Sequence, residues 1–265
     1  MPTMAATRRR VPFRRGEIVI DELGEGPTIG YIHGLVGNPS GQPIIDAMAA
    51  AGFHVVAPSL PGFSGSTPCE DLRSMHDWVV AASEVIDLAG LTGSPVVASS
   101  VGAMVAFELA AVRPESFSSI VALAPMGLWN PDEPIADPFA TTLTNQRAML
   151  TVDPASTASF FDDDSDLPAD EQIEAGIAKY FTRTSAAALV WPLPDHGFDT
   201  RAHLVKAPVT LIWGADDQIV PPSYATLFGD ALANVSARHV VANAGHLVEW
   251  DQPSAVAALV KSAIG

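Results

Sequence analysis

Hydrophobic periodicity in this chain switches repeatedly between short β-branched runs and longer helical patterns, and that alternation limits the possible folds more than any other feature. Strand-like runs fall at Glu17–Glu22, Thr28–His33, His54–Ala57, Pro95–Ser99, Ser119–Ala124, Val209–Trp213 and His239–Ala242. Between them lie helical patterns at Pro43–Ala51, Leu72–Leu88, Val101–Val112, Pro222–Leu232 and Ser254–Ile264. Several strands are continuous apolar runs, as expected of a sheet covered on both faces. Strand followed by helix, over and over, implies an α/β fold with a mostly parallel, doubly wound sheet of about eight strands. The leading strand, with the turn Gly24-Glu25-Gly26-Pro27 behind it, reads as an antiparallel edge hairpin.

The alternation breaks between about Gly127 and Arg201, where prolines and the acidic run Asp162-Asp163-Asp164 interrupt it. Helical patterns recur inside this stretch at Thr142–Leu150 and Asp170–Leu189. It is too long for a loop in a compact domain. The expected organisation is a core made of residues 1–126 and 201–265, with residues 127–200 inserted as a helical cap.

Composition excludes other classes. With 48% hydrophobic and 17% charged residues the 265-residue chain can bury a real core, which rules out intrinsic disorder. No apolar run approaches the ~20 residues of a membrane span, so no membrane partner is expected. The single cysteine, Cys69, allows no internal disulfide and permits a reducing, cytoplasmic setting. Five of the fourteen basic residues are Arg8, Arg9, Arg10, Arg14 and Arg15, which read as a solvated basic arm ahead of the first strand. The remaining nine face thirty acidic residues, a balance that repels nucleic acid. No metal-ligand cluster, phosphate-cradling loop or dinucleotide fingerprint is visible, so no cofactor and no metal are expected. A monomer or homodimer acting on a small molecule is the resulting picture.

Chemistry concentrates first in Pro95-Val96-Val97-Ala98-Ser99-Ser100-Val101-Gly102-Ala103, where an apolar strand runs directly into a helix. A nucleophile on such a sharp turn needs small residues two before and two after it. Ala98 and Gly102 meet that rule for Ser100, whereas Val97 and Val101 fail it for Ser99. The same string also fits a serine that merely caps a helix. In Tyr31-Ile32-His33-Gly34-Leu35-Val36-Gly37 the glycines let the backbone turn toward the serine, so the N–H groups of Leu35 and Val101 would form an oxyanion hole. Leu211 to Pro222 places Asp216 and Asp217 just past a strand, and Ala242 to Trp250 places His246 between the last strand and the last helix. Serine, acid and histidine thus each follow a strand, in that chain order, where open α/β sheets carry their sites.

From Tyr31 to about Pro253 these segments resemble the α/β-hydrolase superfamily, in its cap-bearing serine esterase and carbon–carbon hydrolase branch. Ala57-Pro58-Ser59-Leu60-Pro61-Gly62-Phe63 looks like the loop after that family's fourth strand, with Ser59 where many members have Asp. The resemblance implies Ser100 as nucleophile, His246 as base and Asp217 as orienting acid, since the family's Gly-x-x-Asp pattern counts from Gly214 to Asp217. Asp216 is the fallback, and Asp132, after the sixth strand, lies too far along. A seryl acyl-enzyme would form and be hydrolysed by water with His246 as base both times.

Trp129 and Trp191, at the two ends of the expected cap, are candidate pocket residues. Few cations occur in this region, so the leading expectation is a carboxylesterase acting on a small or medium, largely apolar ester. The alternatives are a lactonase or a carbon–carbon hydrolase acting on a vinylogous diketone acid. The last would need a basic clamp such as Arg183 or Arg201. A ligand sensor that retains the triad represents a different class.

Overall fold

The computed structural model describes residues 6–39, 41–161, 164–191 and 196–265. Among these, eight strands form one sheet in the order β1-β2-β4-β3-β5-β6-β7-β8. They are β1 (Thr7–Phe13), β2 (Gly16–Leu23), β3 (Thr28–Ile32), β4 (His54–Pro58), β5 (Ser94–Ser99), β6 (Phe117–Leu123), β7 (Val209–Gly214) and β8 (Val235–Val241). Strands β3 to β8 are parallel where they pair with one another, while β1 and β2 run antiparallel. Along the helices come α1 (Pro43–Ala50), α2 (Met75–Ala89), α3 (Ser100–Val112), α4 (Leu143–Leu150), α5 (Ala158–Phe161), α6 (Ala169–Val190), α7 (Tyr224–Ala231), α8 (Val248–Asp251) and α9 (Pro253–Ile264).

Alternate residues of each central strand feed two cores. In β6, Ile120 and Ala122 join the layer under α2, α3 and α7, whereas Val121 and Leu123 join the layer under α1 and α9. Both faces are covered, which is why the central strands carry apolar residues at successive positions rather than alternately. Helix α3 is buried from Ser100 through Ala111, so its residues are small or apolar apart from Glu108, whose carboxylate pairs with Arg201.

Two expectations are corrected at the edge. The arginine-rich segment is not a solvated arm: it is strand β1, joined to β2 through Arg14 (φ 50°) and Arg15. Acidic residues compensate it, with Arg8 on Asp21 at 2.6 Å, Arg9 on Glu22 at 2.7 Å and Arg14 on Glu84 at 2.8 Å. The antiparallel edge hairpin is therefore β1–β2, not β2–β3. Strand β4 lies between β2 and β3. The Gly24–Pro27 turn crosses the segment leading into β4: a Cβ on Gly24 or Gly26 would collide with the carbonyl oxygens of Phe53 or Gly52.

The segment between β6 and β7 contributes α4, α5 and α6. It is tied to the loops at the carboxyl ends of the strands. Leu150 O accepts from Leu247 N at 2.8 Å, and Thr182 Oγ1 accepts from Ser64 N at 2.9 Å. At the point where the winding reverses, β3 and β5 are neighbours. A crevice opens at the carboxyl ends of strands at such a switch.

Candidate active site

Strand β5 ends at Ser99 with extended backbone (φ −108°, ψ 136°), and the next residue, Ser100, turns to φ 50° at the start of α3. A non-glycine residue there is strained, and the surroundings hold it in place. Gly102 has no room for a side chain, because a Cβ would run into the carbonyl oxygen of His33. The loop after β3 lies directly against the turn: a Cβ on Gly34 would come within 2.8 Å of Ser99 Oγ and 3.2 Å of Ser100 Cβ. The small-residue rule thus has a local cause, the close approach of the His33–Val36 backbone.

Residues far apart in the chain converge here. Ser100 Oγ lies 2.7 Å from His246 Nε2, and His246 Nδ1 lies 2.9 Å from Asp217 Oδ2. Asp217 Oδ1 accepts from the backbone N–H groups of Ile219 (2.8 Å) and Val220 (2.9 Å), so both carboxylate oxygens are held. With Nδ1–H donated to the carboxylate, Nε2 is left to accept the serine proton. All three side chains are buried, which strengthens each contact relative to water. Asp216, one residue earlier, is exposed and meets the site only through its backbone, whose N–H bonds Ala244 O at 2.9 Å. Asp132 is likewise exposed.

The histidine loop is clamped from below and above. Gly214, at the end of β7, packs against the Ala244 and Gly245 carbonyls with no space for a Cβ. Asp251 accepts from Gly245 N at 2.8 Å and from Val152 N at 2.9 Å, joining this loop to the end of α4. Sequence reasoning passed over Asp251, although an acid five residues after a loop histidine is visible as a signal.

Leu35 and Val101, expected to offer backbone N–H groups, are both buried. Val101 is the residue after Ser100 on α3, and Leu35 belongs to the loop packed on Ser100. His33 anchors that loop. Its Nδ1 bonds the Gly34 carbonyl at 3.0 Å and its Nε2 accepts from Leu60 N at 3.0 Å. Desolvation pulls its pKa down from 6.5 to about 4, so the ring is neutral.

Trp129 is half-buried against the core and Trp191 is 63% exposed. Of the two arginines considered as clamps, Arg201 is engaged by Glu108 through contacts of 2.7 and 2.9 Å. Arg183 on α6 is half-buried and bonds the Gln146 amide oxygen at 3.3 Å, with no carboxylate partner among the described residues. Burial lowers its pKa from the usual arginine value. Gln146 sits on α4 one turn before Leu150, whose carbonyl holds Leu247 beside His246. A cavity of about 430 Å³ lies between α6 and the loop after β3, lined by Val36, Phe160, Leu167, Ala175, Ala178 and Thr182 together with the charged Arg8, Asp164 and Lys179. Among the described residues no group of His, Cys, Asp and Glu could hold a metal, and no helix is long and apolar enough to cross a membrane.

A family model described as the alpha/beta hydrolase family matches residues 31–259. A 2-hydroxy-6-oxononadienedioate/2-hydroxy-6-oxononatrienedioate hydrolase of Pseudomonas putida is 27% identical, covering 93% of this chain and 92% of its own. A monoacylglycerol lipase of Xenopus laevis is 26% identical over 89% of this chain and 75% of its own. Among solved structures, a meta-cleavage product hydrolase from Pseudomonas fluorescens IP01 superposes with a TM-score of 0.71 at 19% identity, covering 93% of each chain.

Proposed function

The chain belongs to the alpha/beta hydrolase family, and from that premise we propose that it hydrolyses a carbon–carbon bond next to a ketone in a 2-hydroxy-6-oxo-dienoate. The observation that carries the choice of substrate is Arg183, a half-buried cation on α6 bonded to the neutral amide of Gln146 on α4. A carboxylate-bearing substrate would supply the anion that this guanidinium lacks. The Pseudomonas putida relative, a 2-hydroxy-6-oxononadienedioate/2-hydroxy-6-oxononatrienedioate hydrolase, supports the same class. This reading replaces the ester as first choice.

In this mechanism His246 takes the Ser100 proton as the oxygen attacks the 6-keto carbon, and Asp217 holds the imidazole and balances its transient charge. The N–H groups of Leu35 and Val101 receive the developing oxyanion. The substrate reacts as its 2,6-dioxo tautomer, in which the 2-hydroxyl proton has moved to C5, so collapse of the tetrahedral adduct breaks the bond between C5 and C6 and passes its electron pair through C3=C4 into the 2-oxo group. The His246 imidazolium returns its proton to the dienolate oxygen, releasing the 2-hydroxy-dienoic acid and leaving an acyl-serine, and Arg183 would pair with the departing carboxylate. Water, deprotonated by His246, then hydrolyses the acyl-serine. The helical segment over the strand ends serves as a cap that excludes bulk water.

A carboxylesterase is the second reading, favoured by the largely apolar cavity beside Val36, which suits an alkyl chain. The deciding assay compares 2-hydroxy-6-oxo-6-phenylhexa-2,4-dienoate, followed by loss of its conjugated chromophore, with p-nitrophenyl butyrate. Carbon–carbon cleavage predicts higher kcat/KM on the dienoate. It also predicts that Arg183→Gln lowers that value by about 30-fold or more while changing the ester rate less than about threefold. Dominant ester turnover, indifferent to Arg183, would establish the second reading instead.

A further inference from the structure

Behind the nucleophile, on the face of the sheet covered by α1 and α9, segments that carry separate parts of the site meet at one carboxyl group. Glu249 on α8, three residues after His246, is fully buried. Tyr31 of β3, the strand that leads into the Leu35 loop, donates its O–H to Glu249 Oε1 at 3.2 Å and accepts from Gln42 Nε2 at 2.7 Å. Ser99, immediately before Ser100, faces the same carboxyl from the end of β5. Ser99 Oγ, Glu249 Oε2 and Gln42 Oε1 are buried without a hydrogen-bond partner of normal geometry, so the cluster retains unused bonding capacity.

Filling space does not require a carboxyl here. A leucine occupies a similar volume without the desolvation cost of burying an acid. The titratable groups facing Glu249 are Tyr31 from β3 and His246 from the adjoining loop, while β5 presents Ser99 and α1 presents Gln42, neither of which titrates. Desolvation raises the pKa of both Glu249 and Tyr31, favouring their neutral forms.

Building on the serine-hydrolase reading above, we infer that Glu249 is a positioning residue that locks the oxyanion loop, the nucleophile turn and the histidine loop into one register. The chemistry fits a hydrogen-bonded bridge. Oε1 accepts from Tyr31, and Oε2 is turned to Ser99, one residue from the attacking oxygen. Glutamine keeps a polar group toward both, whereas leucine keeps neither.

The test uses a fluorophosphonate probe, which reports on Ser100 without an identified substrate, together with melting temperature. Glu249→Leu is expected to lower the limiting inactivation rate about tenfold, with the probe's binding constant within about threefold, because misplacement of reacting groups acts on the chemical step. Glu249→Gln should stay within about threefold of wild type, and Tyr31→Phe added to Glu249→Leu should cause no further loss. A role in folding alone would lower the melting temperature and leave the limiting rate of the folded fraction untouched. Should Glu249→Leu fail to fold, Tyr31→Phe alone, which preserves ring volume, is expected to lower the limiting rate. Wild-type limiting rates in every folded variant would overturn the inference. Failure of the probe to label even the wild-type protein would instead sink the reading of Ser100, and this one with it.

Discussion

Ser99 and Ser100 are neighbours and both fully buried, yet the backbone separates them: one ends a strand in extended geometry, the other stands at φ 50° with its hydroxyl on His246. The expected consequence is that Ser100→Ala abolishes turnover and fluorophosphonate labelling while Ser99→Ala retains both. Comparable losses would remove the distinction. Asp216 and Asp217 separate in the same way, since one is exposed and the other is held by His246 and two backbone N–H groups. Asp217→Asn should lower kcat by about 10⁴-fold, as expected when the imidazole tautomer is wrong, and Asp216→Asn should leave it nearly unchanged. His33 makes a prediction about stability. Its folded pKa of about 4 lies below the ordinary 6.5, so the unfolded chain binds the extra proton between those values. Its contribution is complete above pH 6.5 and disappears as pH falls toward 4, about 3 kcal/mol in all. Urea unfolding of His33→Gln should therefore show a flatter pH dependence across that window than the wild type; parallel curves would contradict it.

Elements assemble through a few contacts that local sequence does not announce. Five arginines close together look like a solvated tail, but the acids opposite them on β2 and α2 turn the segment into a paired edge strand. The surface ion pairs are each worth little; the backbone ladder and Phe13 in the core account for the strand's place. Helix α3 is joined to the chain entering β7 by Arg201, whose guanidinium meets a Glu108 carboxylate only 3% exposed. Arg201→Met would strand that acid in the interior. We expect a loss of about 3 kcal/mol in unfolding free energy with kcat on the best substrate little changed, measured by denaturant titration and steady-state assay. A stability change below about 1 kcal/mol would show that the pair is better solvated than its burial implies.

For the molecule as a whole, reversal of winding between β3 and β5 brings the loop carrying Leu35 against the turn carrying Ser100, and the ends of β7 and β8 then deliver Asp217 and His246 to the same side. A sensor and an enzyme could share this arrangement. Sustained turnover over many cycles on a dienoate or an ester is expected here, whereas a ligand-dependent rise in melting temperature with a single stoichiometric turnover would indicate a sensor. Much of this was legible in the amino-acid order. Strand and helix periods, the small neighbours of Ser100 and the Gly214 spacing to Asp217 are local constraints, imposed by backbone geometry within a few residues, and they survive in a linear reading. Tertiary structure alone decided which strands are neighbours, that Arg201 meets a carboxylate while Arg183 meets an amide, and that Glu249 lies against Tyr31, 218 residues away. Those outcomes depend on the relative placement of distant segments, where burial and hydrogen-bond partners become known only once the chain has closed on itself.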